Sequence, residues 1–245
     1  MRWAGRDGVE LSYRSLGSGR PLVLFHGFTA DGSQWVDHGP AAALAEQGYR
    51  VILPDLRGHG SSARPHDPAS YPPDVLADDG LALIDHLGLD DYDLGGYSLG
   101  GRVVLRMLIR GAGPARAIVA GQGLDAVTRG PDRGGSYRRV LTALANGEPV
   151  EPADQTTAEW IIRLGGDPLA LRHVLDSLTP TPAAELARIT TPTLVLVGDQ
   201  DHPHASAEAL AAALPAARFA KVPGNHFTAL TSPDLAKAIL AFRDA

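Results

Sequence analysis

The chain reads YDLGGYSLGGRVVLRMLIR over residues 92–110. Its first four residues form a short apolar and glycine-rich run that predicts a strand, and the apolar spacing over 99–110 predicts a helix. Between them, Gly96-Tyr97-Ser98-Leu99-Gly100 matches the pattern Gly-x-Ser-x-Gly. A turn this tight needs positions 96 and 100 nearly free of side chain, because a Cβ there would strike the neighbouring strand or helix. The pattern predicts that the Ser98 hydroxyl stands above a strand end, at a helix N-terminus that favours negative charge. A glycine- and serine-rich loop is the alternative for so short a pattern.

The same alternation of short apolar runs and helix-period segments extends to both sides of this stretch. It predicts an α/β fold with a mostly parallel central sheet flanked by helices. Strands are expected at 21–26, 49–53, 92–95, 115–120, 193–197 and 218–222, and helices at 39–47, 72–87, 99–110, 205–214 and 233–243. Residues 9–16 are expected to form an edge strand.

The alternation stops after Gly121 and returns near Thr193. The intervening residues are helical or irregular in pattern, with clusters of Gly and Pro. We interpret them as a small helical cap inserted at about residues 122–188 into a single domain that spans 1–245. Both ends of the insertion return to the sheet, which argues against a separate domain.

Composition excludes several classes of protein. Of the 245 residues, 44% are hydrophobic and 20% are charged, which is typical of a globular chain and not of a disordered one. A net charge of −6 offers no electrostatic surface for nucleic acid or anionic lipid. Cysteine is absent, so thiolate nucleophiles and Cys-ligated metals are excluded. No stretch is apolar for long enough to predict a membrane span, and a cytoplasmic location is expected, although a mature secreted form would share these features. The sequence carries no signal for oligomeric state.

A serine hydroxyl needs a base to take its proton, and the base needs an orienting carboxylate. Of the nine histidines, His226 is the best placed, because it lies on a glycine-containing loop directly after the last predicted strand. Asp199 and Asp201 follow the run TLVLV at 193–197 and are both candidates for the carboxylate. Each of these loops is expected at the carboxyl edge of the sheet, close to Ser98.

Several motifs in this order resemble the α/β-hydrolase superfamily over nearly the whole chain. They are FHGF at 25–28, PDLRGHGSS at 54–62, GYSLG at 96–100, GDQD at 198–201 and GNHF at 224–227. The order Ser98, Asp201, His226 is the order of that superfamily's catalytic triad. The resemblance favours Asp201 as the acid over Asp199, and over Asp125, since some members carry the acid after the preceding strand.

The resemblance also assigns supporting roles. Leu99, the residue after the nucleophile, is expected to offer one backbone N–H to an oxyanion, and Phe28 is expected to offer the other. His26 is expected to brace its turn by hydrogen bonding. The loop that contains Asp55, Arg57 and His59 is expected to hold the scaffold beside the site.

Two further groups of residues invite a functional interpretation. Trp35, Tyr97 and Trp160 are candidates for substrate-binding walls, with packing in the core or cap as the alternative. His202 and His204 lie beside Asp201 and suggest a metal, but no ligands come from other elements, so we expect a solvated or rim loop and no metal.

Together these features predict a serine hydrolase that cleaves a small-molecule carboxylic ester, lactone or thioester through an acyl-enzyme on Ser98. The chemistry requires no organic cofactor. Carbon–carbon bond hydrolysis, haloperoxidase-like perhydrolysis, hydroxynitrile cleavage and a weakly catalytic small-molecule receptor are alternatives on the same residues. Haloalkane dehalogenases and epoxide hydrolases are disfavoured, because they carry Asp where this chain has Ser98.

Overall fold

A computed structural model describes residues 1–37, 39–129 and 135–244. Within these ranges eight strands form one sheet: β1 Arg2–Ala4, β2 Glu10–Leu16, β3 Arg20–Phe25, β4 Tyr49–Asp55, β5 Asp93–Tyr97, β6 Arg116–Ala120, β7 Thr193–Gly198 and β8 Ala217–Val222. Their order across the sheet is β1-β2-β4-β3-β5-β6-β7-β8. The six strands from β3 to β8 are parallel, and β1 and β2 are antiparallel to their neighbours. The predicted mostly parallel sheet is confirmed.

The prediction that residues 9–16 form the edge of the sheet is wrong. β2 lies between β1 and β4, and Trp3 of β1 pairs with Leu11 of β2. β1 has only three residues, so it carries no alternation that a sequence pattern could reveal. Trp3 nevertheless covers the core, since it is 4% exposed.

Helices cover both faces of the sheet. The described helices are α1 Gln34–Asp37, α2 Ala41–Glu46, α3 Val75–Leu87, α4 Leu99–Ile109, α5 Leu124–Thr128, α6 Ser136–Asn146, α7 Gln155–Arg163, α8 Pro168–Ser177, α9 Ala183–Leu186, α10 Ala207–Ala212 and α11 Pro233–Arg243. α3, α4 and α10 contribute to one core cluster, and α2 and α11 contribute to the other. In β7, Val195 belongs to the first cluster and Leu194 to the second, because successive side chains point to opposite faces.

The segment between β6 and β7 holds α5 to α9. α6, α7 and α8 share a small core of their own, formed by Val140, Leu141, Ala158, Ile161 and Leu171. Residues 130–134, which belong to the expected cap, lie outside the described residues. Among the helices that are described, none is both long and apolar enough to cross a bilayer.

The loop after β4 is anchored by a buried arginine. Arg57 is fully buried and donates to both carboxylate oxygens of Asp79 on α3, at 2.9 and 2.7 Å. It also donates to Asp7 and to the carbonyl oxygen of Ser70. Burial raises the pKa of Asp79 to about 6, although hydrogen bonds from Arg57 act in the opposite direction. Arg57 therefore ties three separate segments together beside the site, as expected for this loop.

Arg57→Leu is expected to lower the free energy of unfolding by about 3–5 kcal/mol at about pH 8, because it leaves the Asp79 carboxylate buried without a counter-charge. The folded pKa of Asp79 is raised above its unfolded value, so protonation favours the folded state. The deficit relative to wild type should therefore shrink at about pH 5, as urea unfolding followed by circular dichroism can measure. Asp7→Asn is the control: this partner is partly exposed, so we expect a loss below about 1 kcal/mol. If Arg57→Leu lowers the free energy of unfolding equally at both pH values, the loss does not come from the uncompensated Asp79 carboxylate.

Candidate active site

The turn between β5 and α4 holds Ser98 in a strained conformation. Its φ is 54° and its ψ is −114°, and its N–H donates to the carbonyl oxygen of Ala120 at 2.8 Å. A non-glycine residue with positive φ is uncommon, and such strain concentrates at functional sites. A Cβ at Gly96 would lie 2.3 Å from the carbonyl carbon of Gly100, and one at Gly100 would lie 2.2 Å from the carbonyl oxygen of Phe25. Both glycines are therefore required by close backbone approach, as the sequence pattern implies.

Three side chains from distant parts of the chain meet above the carboxyl ends of β5, β7 and β8. His226 Nε2 lies 3.0 Å from Ser98 Oγ, and His226 Nδ1 lies 2.7 Å from Asp201 Oδ2. An ionised carboxylate can only accept, so Nδ1 carries the proton and Nε2 accepts from the serine hydroxyl. This is the arrangement in which a histidine can remove a proton from serine.

Asp201 is charged in this setting. Its side chain is fully buried, which by itself would raise its pKa, but hydrogen bonds from His204 and His226 outweigh burial and hold the pKa well below its usual range. Asp199 is exposed and accepts from the N–H of Gly224 at 2.9 Å, so it shapes the loop before His226. Asp125 is exposed on α5 and pairs with Arg129. Of the three carboxylates weighed from the sequence, the structure brings Asp201 to His226.

The turn after β3 lies beside Ser98. A Cβ built on Gly27 would lie 3.5 Å from Ser98 Cβ. Phe28 is the residue that follows Gly27 in this turn. Leu99 is the first residue of α4, so its N–H precedes the hydrogen-bonding ladder of the helix. The two expected oxyanion donors therefore belong to segments that adjoin Ser98.

His26 shapes this turn. It is fully buried, its Nδ1 lies 2.8 Å from the carbonyl oxygen of Gly27, and its Nε2 accepts from the N–H of Leu56 at 2.9 Å. Burial lowers the pKa of His26, which keeps it neutral and allows it to donate at one nitrogen and accept at the other. Asp55 continues the bracing by accepting from the N–H of Gly32 at 2.8 Å.

His59 lies in the same buried layer, and burial lowers its pKa to about 3. Its Nδ1 lies 3.0 Å from the carbonyl oxygen of Arg57, and its ring packs edge-on against Phe28. These contacts belong to the scaffold, as predicted for this loop.

Two pairs of packed aromatic side chains lie near the site. Phe28 and Tyr137 pack edge to face with ring centroids 5.2 Å apart, and Trp160 and Phe227 do so at 6.0 Å. Trp160 Nε1 donates to Thr29 Oγ1 at 3.1 Å, which links helix α7 to the turn after β3. Phe28 and Phe227 are the members of these pairs that also pack against histidines of the site region, His59 and His226. Of the four residues in these pairs, only Trp160 was predicted from the sequence as a substrate wall.

The other two candidate walls, Tyr97 and Trp35, are both buried. Tyr97 is 3% exposed, and its hydroxyl donates to the carbonyl oxygen of His226 at 2.7 Å, so it supports the histidine loop. The expectation for Trp35 is corrected: it is 1% exposed and packs in the core cluster with Leu24 and Leu44. A short helix, α1, turns it inward, and no sequence pattern reveals that direction.

Two contacts of the site were not predicted from the sequence. Gln122 Nε2 donates to the carbonyl oxygen of Ser98 at 2.6 Å and so stabilises the turn between β5 and α4. His204 Nδ1 lies 3.0 Å from Asp201 Oδ1, and its ring stacks on that of His226 at 4.5 Å. The only signal for His204 in the sequence is its position three residues after Asp201.

Asp201, His204 and His226 offer ligand atoms within 4.8 Å of one another. However, the two imidazole planes are nearly parallel, at 21°, and each ring points to a different oxygen of Asp201. Metal ligands need lone pairs that converge on one point. The arrangement suits two hydrogen bonds to one carboxylate better than it suits chelation.

Known proteins are similar to this chain in sequence and in fold. A family model described as the alpha/beta hydrolase fold matches residues 20–127. The non-heme chloroperoxidase CPO-A1 of Kitasatospora aureofaciens is 32% identical in an alignment of 222 residues that covers 80% of this chain and 79% of that protein. The chain belongs to the α/β-hydrolase family.

Two other comparisons define the range of its relatives. A non-heme haloperoxidase of Rhodococcus erythropolis is 41% identical over 120 residues, which cover 47% of this chain and only 41% of that protein. A thermophilic esterase from Thermogutta terrifontis, solved with malate bound, superimposes with a TM-score of 0.79 at 28% identity, over 100% of this chain and 98% of that one. Membership of the α/β-hydrolase family therefore identifies the enzyme superfamily of this chain. It does not identify the reaction, because the relatives are named for different reactions.

Proposed function

We propose that this α/β-hydrolase is a serine hydrolase that cleaves a carboxylic ester, lactone or thioester through an acyl-enzyme on Ser98. The observation that carries the proposal is the continuous hydrogen-bonded chain from Ser98 Oγ through His226 to Asp201, with distances of 3.0 and 2.7 Å. The likeness to the Thermogutta terrifontis esterase over the whole chain supports the ester substrate. The aromatic rings of Phe28 and Phe227 beside the site support a substrate with apolar parts.

In the first half of the reaction, Ser98 Oγ attacks the acyl carbonyl while His226 Nε2 takes the hydroxyl proton. Asp201 stabilises the imidazolium that forms and holds the ring in the required tautomer. The backbone N–H groups of Phe28 and Leu99 bind the oxyanion, and each such donor is typically worth about 3–4 kcal/mol in the transition state. His226 then gives its proton to the leaving alcohol or thiol. In the second half, His226 activates a water that attacks the acyl-enzyme, and Ser98 is regenerated.

Perhydrolysis is the second candidate, because the relative that aligns over 79% of its length is named a chloroperoxidase. On the same residues, hydrogen peroxide in place of water would attack the acyl-enzyme and release a peroxy acid. An assay that supplies both hydrogen peroxide and a short carboxylic ester separates the two, since the perhydrolase produces peroxy acid in competition with hydrolysis.

A fluorophosphonate probe and a panel of p-nitrophenyl esters, thioesters and lactones test the proposal. We expect the probe to label the peptide that contains Ser98, because only an activated serine reacts. Within the panel, transition-state binding should improve by about 0.8 kcal/mol for each buried methylene of the acyl chain until the pocket ends. An unlabelled, correctly folded protein would overturn the proposal. Labelling of Ser98 without turnover of any substrate would favour the receptor alternative.

A further inference from the structure

His204 occupies an unusual place beside the three proposed catalytic residues. It closes a single 3-10 turn, His202–His204, that follows directly on Asp201. His204 Nδ1 lies 3.0 Å from Asp201 Oδ1, whereas His226 Nδ1 lies 2.7 Å from Asp201 Oδ2. The two oxygens of one buried carboxylate are therefore each bound by a different histidine.

The ring of His204 also packs against the ring of His226. The two imidazoles stack with centroids 4.5 Å apart and planes inclined by 21°. The ring centroids of Tyr97 and His226 lie 5.4 Å apart, and the Tyr97 hydroxyl donates to the carbonyl oxygen of His226. Rotation of the His226 imidazole about its side-chain bond would break the stack with His204. The direction in which Nε2 points towards Ser98 thus depends on a neighbour that is not itself in contact with the serine in the described structure.

We propose that His204 is a positioning residue of this active site, which orients the His226 ring by stacking and shares the Asp201 carboxylate with it by hydrogen bonding. The inference rests on the proposed function, because His204 acts only through Asp201 and His226.

Sharing the carboxylate has an electrostatic consequence. An acceptor that already binds one donor is a weaker acceptor for a second, so the His204 hydrogen bond reduces the stabilisation that Asp201 gives to the His226 imidazolium. The titratable groups that the described structure places against this histidine pair are Asp201, from the loop after β7, and Tyr97, from β5. Removal of the His204 donor should make the His226 imidazolium harder to deprotonate. The acid limb of the pH–rate profile should then move to higher pH.

Three variants separate stacking from hydrogen bonding. His204→Phe keeps a ring and loses the donor, His204→Asn keeps a donor near the Nδ1 position and loses the ring, and His204→Ala loses both. The rate of Ser98 labelling by a fluorophosphonate probe is measured for each across pH, since this rate reports the state of His226 without a known substrate. We expect His204→Phe to raise the midpoint of the acid limb by about half a pH unit. We expect His204→Asn to leave the midpoint in place and to lower the plateau rate about tenfold through a misplaced ring.

The controls distinguish the possible failures. If the wild-type protein is not labelled at Ser98, the proposed function fails. If wild type is labelled and the folded variants keep both its midpoint and its plateau rate, the role of His204 is overturned. Equal losses of rate that follow a lower melting temperature, with no shift of midpoint, would also overturn it, because they indicate a structural role only.

A measurement on the unaltered protein is independent of variant folding. In ¹H–¹⁵N NMR spectra of histidine side chains, both His204 and His226 should show a downfield Nδ1 proton shared with a carboxylate. If only one histidine shows such a proton, the proposal is overturned.

Discussion

Ser98→Ala is expected to lower kcat for ester hydrolysis by about 10⁴- to 10⁶-fold, which is the range found when a triad nucleophile is removed. The methyl group cannot attack the acyl carbonyl, and the reaction reverts to direct attack by water on a bound ester. The substitution leaves the proposed oxyanion donors, the backbone N–H groups of Phe28 and Leu99, unchanged. KM should therefore change much less than kcat, and steady-state kinetics on p-nitrophenyl acetate or butyrate measure both.

Ser15→Ala is the matched control, since Ser15 lies on β2 and its hydroxyl accepts only a long hydrogen bond, at 3.3 Å, from Arg50 among its described side-chain contacts. It should keep wild-type kinetics. Both variants should also keep the wild-type melting temperature, so that a lost rate is a chemical effect. Retention of more than about a hundredth of wild-type kcat by Ser98→Ala would remove Ser98 from the mechanism.

Local steric requirements explain why the turn at Ser98 could be predicted from sequence. Glycine is needed at positions 96 and 100 because a Cβ would collide with backbone atoms. Both glycines belong to one motif of five consecutive residues, so the sequence alone reveals the turn. The parallel strands were predictable for a similar reason. Strands buried on both faces, such as β7, appear as continuous apolar runs.

Features that depend on the direction of a short element could not be predicted. Trp35 is buried because the four-residue helix α1 turns it towards the core, and four residues carry no periodicity. β1 escaped prediction for the same reason. His204 is different: the sequence shows that it follows Asp201, but only the three-dimensional path of the loop from β8 brings the His226 ring onto it. Ser98, Asp201 and His226 could be placed together because each follows a predicted strand, whereas no motif signals the contact between the two histidine rings.

Asp201→Asn is expected to lower kcat by about 10³- to 10⁴-fold while leaving the fold intact, as neutral replacement of a triad acid does. An amide has one acceptor oxygen where Asp201 uses two, so either His204 or His226 loses its acceptor. Whichever way the amide turns, it carries no charge, and the imidazolium that forms as Ser98 attacks is no longer stabilised by a neighbouring anion. Steady-state kinetics near neutral pH measure the loss.

Asp199→Asn separates this effect from the mere removal of a carboxylate near the loop of His226. The amide oxygen can still accept from the N–H of Gly224, so we expect kcat within about twofold of wild type. If Asp199→Asn inactivates the enzyme and Asp201→Asn does not, the acid has been assigned to the wrong residue.

The pH dependence of stability gives a second test of Asp201. The folded pKa of Asp201 lies below its unfolded value, so its charge stabilises the fold above about pH 4, and that contribution is lost as the pH falls further. The free energy of unfolding of wild type should therefore fall more steeply with acidification than that of Asp201→Asn, because the amide has no proton to take up.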